Sequence, residues 1–146
     1  NCRLGNHLNA ERAAAIAIYH DATEIITGDM PTPVKYFNED IQDAYKKVEQ
    51  AATKKLLSML PEDIRGCYES LFTAKEEDTY LWRLVKAADK LSALIKCIEE
   101  RKAGNSEFIN AEASITAKLR QLSLPEVEIF MDEFLPAYEK SLDELS

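Results

Sequence analysis

The stretch that decides the fold is DTYLWRLVKAADKLSALIKCIEERK, residues 78–102. Leu81, Leu84, Val85, Ala88, Leu91, Leu94, Ile95 and Ile98 recur at spacings of three and four, the period of one helical face. No Pro or Gly interrupts the run, and Gly104 follows as a helix stop. The spacing predicts a long helix from about Asp78 to Lys102, apolar on one side.

The same period extends outward in both directions. Toward the C-terminus, Asn105 or Ser106 opens a helix with Phe108, Ala111, Ile115, Leu119 and Leu122 on one stripe. Ser123 and Pro125 open another with Val127, Phe130, Met131, Phe134 and Leu135. Pro136 breaks or kinks it, and Tyr138, Leu142 and Leu145 continue the pattern. Toward the N-terminus, Ile64, Tyr68, Leu71 and Phe72 mark a short helix. Before it runs a longer one, capped by Asn38, with Ile41, Tyr45, Val48, Ala52, Leu56 and Met59 aligned. Pro61 ends this helix or opens the next.

The first helix is expected from Ala10 to Ile26, with Asn9 as its cap and Gly28 as its stop. Its middle, AAAIAIY, is apolar all round, which predicts burial on most faces. GDMPTPVKYF, residues 28–37, carries Pro31 and Pro33 and reads as a rigid loop without regular helix or strand. No period-2 strand, repeat or long linker is found. The fold class is all-α, a compact bundle of about six or more helices in one domain.

Composition narrows the function. A hydrophobic fraction of 46% over 146 residues fills one core, and Gly (4) and Pro (5) are too few for a turn-rich β fold. A net charge of −8 argues against a nucleic-acid polymer as partner. No apolar run approaches the roughly 20 residues that span a bilayer, so no membrane partner is expected. Cys2, Cys67 and Cys97 form no CxxC pair and read as small buried or semi-buried thiols in a reducing cytoplasm. The chain opens on Asn1 rather than Met, so an upstream part of a longer product is expected.

GxSxG, HExxH and Gly-rich phosphate loops are all absent. Chemistry is concentrated after the first apolar run, where His20, Asp21, Glu24 and Asp29 lie within ten residues. Glu24 is four residues from His20 and shares its helical face. Such a cluster persists in a partly buried place when it is paired or holds a metal, although a local His–Asp hydrogen bond with a solvated Glu24 accounts for it equally well. His7 lies in a polar stretch and reads as solvated. Asp89, inside VKAADKLSA, falls about 40° beyond Val85 at the rim of the apolar stripe. Alone it reads as a surface residue. With His20 and Asp21 it makes an imidazole and two carboxylates, a donor set suited to Mn, Co, Fe or Zn.

YHDATEIITGDMPTPVKYF, residues 19–37, resembles the signature of the bacterial 5′-deoxynucleotidases within the HD superfamily of metal-dependent phosphohydrolases. VKAADKLSALIKCIEE and FMDEFLPAYEKSLDEL resemble their later blocks, in the same order along nearly the whole chain. The resemblance implies an HD-domain-like fold and hydrolysis of deoxynucleoside 5′-monophosphates to deoxynucleoside and phosphate. It implies a divalent cofactor such as Co or Mn and a homodimer. It further implies that His20, Asp21 and Asp89 are metal ligands, that Glu24 and Asp29 are the acidic residues around the scissile phosphate, and that Asp29 and Lys35 touch substrate. The family also has an upstream histidine ligand, with an arginine and a tryptophan for the nucleotide. Nothing in this chain matches them, so residues 1–146 are expected to be one HD domain lacking its N-terminal helical segment. Two alternatives stay open: another HD enzyme acting on a triphosphate or cyclic nucleotide, and a non-catalytic helical scaffold.

Overall fold

The structure, a computed structural model, describes residues 1–5, 7–35, 37–73 and 75–144, without the side chains of Thr32, Pro33 and Leu142. Tyr36 of the expected loop and Leu145 of the expected C-terminal stripe lie outside the described residues. Every regular element among the described residues is helical. In chain order these are α1 (Ala10–Tyr19), single turns α2 (Glu24–Thr27) and α3 (Thr32–Lys35), α4 (Glu39–Ser58), α5 (Glu62–Phe72), α6 (Thr79–Lys102), α7 (Ile109–Gln121) and α8 (Pro125–Ile129), with short 3₁₀ turns between several of them.

The chain divides into two compact units. The inserted unit comprises Glu11–Thr79, and the flanking unit joins Asn1–Ala10 to Tyr80–Ser146.

In the flanking unit, α6 contributes Ala87, Leu91, Leu94 and Ile98 to a core shared with Leu119, Leu124, Val127 and Met131. Leu94 and Leu119 have no exposed surface. The long helix begins one residue after the expected position because a 3₁₀ turn, Glu76–Asp78, occupies its start. Ala88, expected inward, is exposed, and the buried alanine is Ala87. Gly104 ends the helix at φ +90°, a conformation that costs other residues about 1 kcal/mol or more. After Ile129 the backbone widens into a π turn over Phe130–Phe134 and then tightens into a 3₁₀ turn over Leu135–Glu139. Pro136 has no N–H to give to an α ladder, which accounts for the switch. Phe134, expected in the core, is 48% exposed and stacks on Phe130 at 5.8 Å. The N-terminal residues are tied in by an Asn1–Leu8 hydrogen-bond pair and by Arg3 to Glu133 at 2.9 Å.

In the inserted unit the expected first helix is shorter than predicted. It stops at Tyr19, and the next carbonyls receive N–H groups three residues on: Tyr19 from Ala22 (3.0 Å), Asp21 from Glu24 (2.9 Å) and Thr23 from Ile26 (3.0 Å). Asp21 and the β-branched Thr23 favour such turns over a continued helix. The expectation that this helix is buried on most faces is also corrected. Ile16 is fully buried, but Ile18 is 75% exposed. The expected loop contains α3, because Pro31 and Pro33 fall at its start, where a missing N–H breaks no ladder bond. Asn38 caps α4 as expected, its side chain accepting from the Ile41 N–H at 2.8 Å. On α4, Tyr45, Ala52 and Leu57 are buried, whereas Val48 and Met59 of the expected stripe are about half or more exposed. Leu57 replaces them because the inward face drifts round the helix over its 20 residues.

Tyr19 joins α1 to α5 through edge contact with Tyr68 (5.8 Å) and a tilted contact with Phe72 (6.0 Å). Arg12 crosses from α1 to the carboxylate of Asp78 (2.7 Å) and the Ser70 carbonyl (2.8 Å). Asp78 is buried, so this pair is a fixed internal strut rather than a surface contact.

Candidate active site

His20 stands in the turn that terminates α1. Its Nδ1 lies 2.7 Å from the Ala17 carbonyl, three residues back. A carbonyl only accepts, so Nδ1 carries the hydrogen and Nε2 is directed away from the helix backbone. Nε2 in turn lies 2.9 Å from Asp21 Oδ2. The ring therefore faces an acceptor at each nitrogen. Either a second proton or a cation has to sit between Nε2 and the carboxylate.

The local geometry suits a cation. Two ligands of one ion, each about 2.1 Å away and at a right angle, stand about 3.0 Å apart. The His20–Asp21 separation of 2.9 Å meets that requirement. A helix-end histidine oriented by a backbone carbonyl is also the usual support for a metal-binding imidazole. The residues present fit a divalent cation.

Glu24 opens α2 and is half-buried. Burial pushes its carboxyl above the usual carboxylate range, and the charges of Asp21 and Asp29 push it further; Lys35 and His20 oppose them. Asp29 is exposed just after Gly28, which adopts φ +71° and donates its N–H to the Glu24 carbonyl at 2.8 Å. Lys35 ends α3 and pairs with Glu49 of α4 at 3.0 Å. Thus His20, Asp21, Glu24, Asp29 and Lys35 all belong to the inserted unit, and each of the other four acts electrostatically on Glu24. Asp89 stands exposed on α6, in the flanking unit. His7 is exposed, as expected of a solvated residue.

Two residues near this segment were not singled out from the sequence for the chemistry. Tyr45 reads as one of the apolar stripe of its helix, yet both it and Glu49 contact the loop that carries Asp29 and Lys35. Their spacing of four on one helix was the available signal.

An all-α chain with a cation-ready His–Asp pair closing a helix, and beside it a second carboxylate pushed above the usual carboxylate range, has the makings of a metal-dependent hydrolase. Sequence comparison identifies which kind. A sequence model of the 5′-deoxynucleotidase YfbR-like family matches residues 1–138. The chain is 46% identical over 146 residues to a 5′-deoxynucleotidase of Erwinia tasmaniensis, covering all of this chain and 74% of that protein. It is 44% identical to one from Vibrio vulnificus and to the YfbR 5′-deoxynucleotidase of Escherichia coli, again over its whole length and over 75% and 73% of theirs. The protein belongs to the YfbR-like 5′-deoxynucleotidase family.

Proposed function

We propose that the protein hydrolyses deoxyribonucleoside 5′-monophosphates to deoxynucleoside and inorganic phosphate with the help of a divalent transition metal such as Co or Mn. The observation that carries this reading is the His20–Asp21 pair at 2.9 Å, inside a chain that matches the 5′-deoxynucleotidase family over residues 1–138. His20 and Asp21 would hold the ion, with Asp89 as the third ligand from this chain. A bound divalent cation supplies Lewis acidity toward a phosphate oxygen and neutralises the charge that develops during transfer.

The remaining steps fall to this chain's own side chains. Asp29, exposed at a loop, orients the attacking water and accepts its proton. Glu24, held toward its protonated form by burial and by neighbouring carboxylates, donates a proton to the departing 5′-oxygen. Lys35 gives its ammonium to the phosphate as a point charge. Residues 1–146 act in this reading as one HD phosphohydrolase domain, working as a homodimer in the cytoplasm. Among the described residues no helix is long and apolar enough to cross a membrane.

The test is phosphate release by the full-length protein from paired deoxy- and ribonucleoside 5′-monophosphates, with and without added Co²⁺ or Mn²⁺. Metal-dependent release from the deoxy substrates supports the reading. No release from any monophosphate by folded, metal-supplied protein overturns it and leaves the triphosphate, cyclic-nucleotide and scaffold readings.

A further inference from the structure

Helix α4 carries two side chains, Tyr45 and Glu49, one turn apart on the same face. Both engage the loop that holds the acidic and basic residues of the site, at opposite ends. The Tyr45 hydroxyl donates to the Gly28 carbonyl at 3.3 Å, which fixes the backbone immediately before Asp29. The ring of the same tyrosine, 5% exposed, lies 4.8 Å below the Lys35 ammonium. Glu49 Oε1 accepts from Lys35 Nζ at 3.0 Å, and both side chains are about one-third exposed. A lysine on a flexible stem with one-third of its surface in water loses rotamer freedom only when something holds it. Here an aromatic face and a carboxylate do so together.

We infer that Tyr45 and Glu49 are positioning residues for substrate binding. They hold the ends of the 28–35 loop so that Lys35 presents its charge, and Asp29 its carboxylate, in one pose. This rests on the phosphomonoesterase reading above and adds to it two residues that touch neither metal nor reacting atoms. Glu49 acts through Lys35, and Tyr45 acts through Gly28 and Lys35. Loss of either leaves the fold of α4 in place, since Glu49 is partly exposed and Tyr45→Phe keeps the buried ring.

The experiment compares full-length wild type, Glu49→Gln, Glu49→Asp, Tyr45→Phe, Lys35→Ala and the Lys35→Ala/Glu49→Gln double variant. Steady-state kinetics with a deoxynucleoside 5′-monophosphate are paired with hydrogen exchange of peptides covering residues 28–35 in substrate-free protein. Glu49→Gln is expected to raise KM about fivefold, the factor a partly exposed ion pair supplies, with kcat little changed. Glu49→Asp is expected to recover part of that loss, and Glu49→Gln to add nothing once Lys35 is gone. Tyr45→Phe and Glu49→Gln are both expected to speed exchange in the loop. A fall in kcat at constant KM, tracking loss of folded protein, would mean a purely structural role and overturn the inference. So would full additivity in the double variant. If wild type releases no phosphate, the phosphomonoesterase reading fails on its own, and exchange alone judges the latch: equal loop exchange in wild type, Tyr45→Phe and Glu49→Gln overturns it.

Discussion

The flanking-unit core and the segment from His20 to Lys35 are built on opposite terms. Around α6 the side chains of Leu94, Leu119 and Leu124 lose almost all contact with water, and the core cluster contains no charge. Between His20 and Lys35 none of the described side chains is fully buried, and five ionisable groups crowd into one-turn helices and bends. The first region is held together by apolar burial. The second contains groups that repel one another, as the upward shift of Glu24 records. The apolar core and the crowded ionisable segment lie on different stretches of chain, which lets core packing be altered with limited effect on that segment.

The largest expected effect lies in the second region. Asp29→Ala and Glu24→Ala should each lower turnover about 10²- to 10⁴-fold, the range for loss of a positioned acid or base, while the protein retains its metal. Asp21→Ala and Asp89→Ala should lose the metal as well. Elemental analysis of the four purified variants checks this, and equal metal content in all four would remove the division of roles. Next comes Arg12→Ala, which strands the buried Asp78 carboxylate without its partner and should cost about 3–5 kcal/mol in urea unfolding. A cost below about 1 kcal/mol would show that the strut is solvated. Leu94→Ala should then cost about 3 kcal/mol through the cavity it leaves, with KM unchanged for the protein that remains folded. A changed KM there would break the separation between the two regions.

The smallest effect concerns thiol reactivity. Cys97 is buried and burial pushes its thiol up, so the reactive thiolate is disfavoured in the folded state. Alkylation near neutral pH should therefore modify the exposed Cys2 and Cys67 first, and reach Cys97 only at higher pH or on unfolding. Mass-spectrometric mapping over a pH series reads this directly. Early labelling of Cys97 would mean that the flanking core opens readily. The exposure of Cys2 and Cys67 departs from the expectation of semi-buried thiols; Cys67 lies exposed on α5.

How far each region could be read from its residues follows from the same contrast. Helix α6 was legible to within one residue, because eight apolar positions repeat one period over 24 residues and a glycine stops the helix. The end of α1 was not, because Ile25 and Ile26 continue the apolar pattern while local turn bonds from Ala22, Glu24 and Ile26 take over the backbone. The prolines at 31 and 33 were read as helix breakers, although the first turn of a helix tolerates them. For the site, residue types and motif pointed to His20, Asp21, Glu24 and Asp29. The spacing of Tyr45 and Glu49 shows that they share a helix face but not what it covers, because a face that covers a loop has the same pattern as one that covers a core.

Residues 1–10 and 80–146 complete one unit, with Arg3 reaching Glu133 across 130 positions, while residues 11–79 form the other. The inserted unit is therefore a continuous run of chain, and the flanking unit is not. On a ribosome the whole of the inserted unit, the segment from His20 to Lys35 included, is available once residue 79 has emerged. Arg3 of the other unit must wait through the synthesis of more than a hundred residues before its salt-bridge partner exists. The inserted unit can thus acquire its structure from one continuous run of chain, and the flanking unit closes only once its C-terminal part has been made.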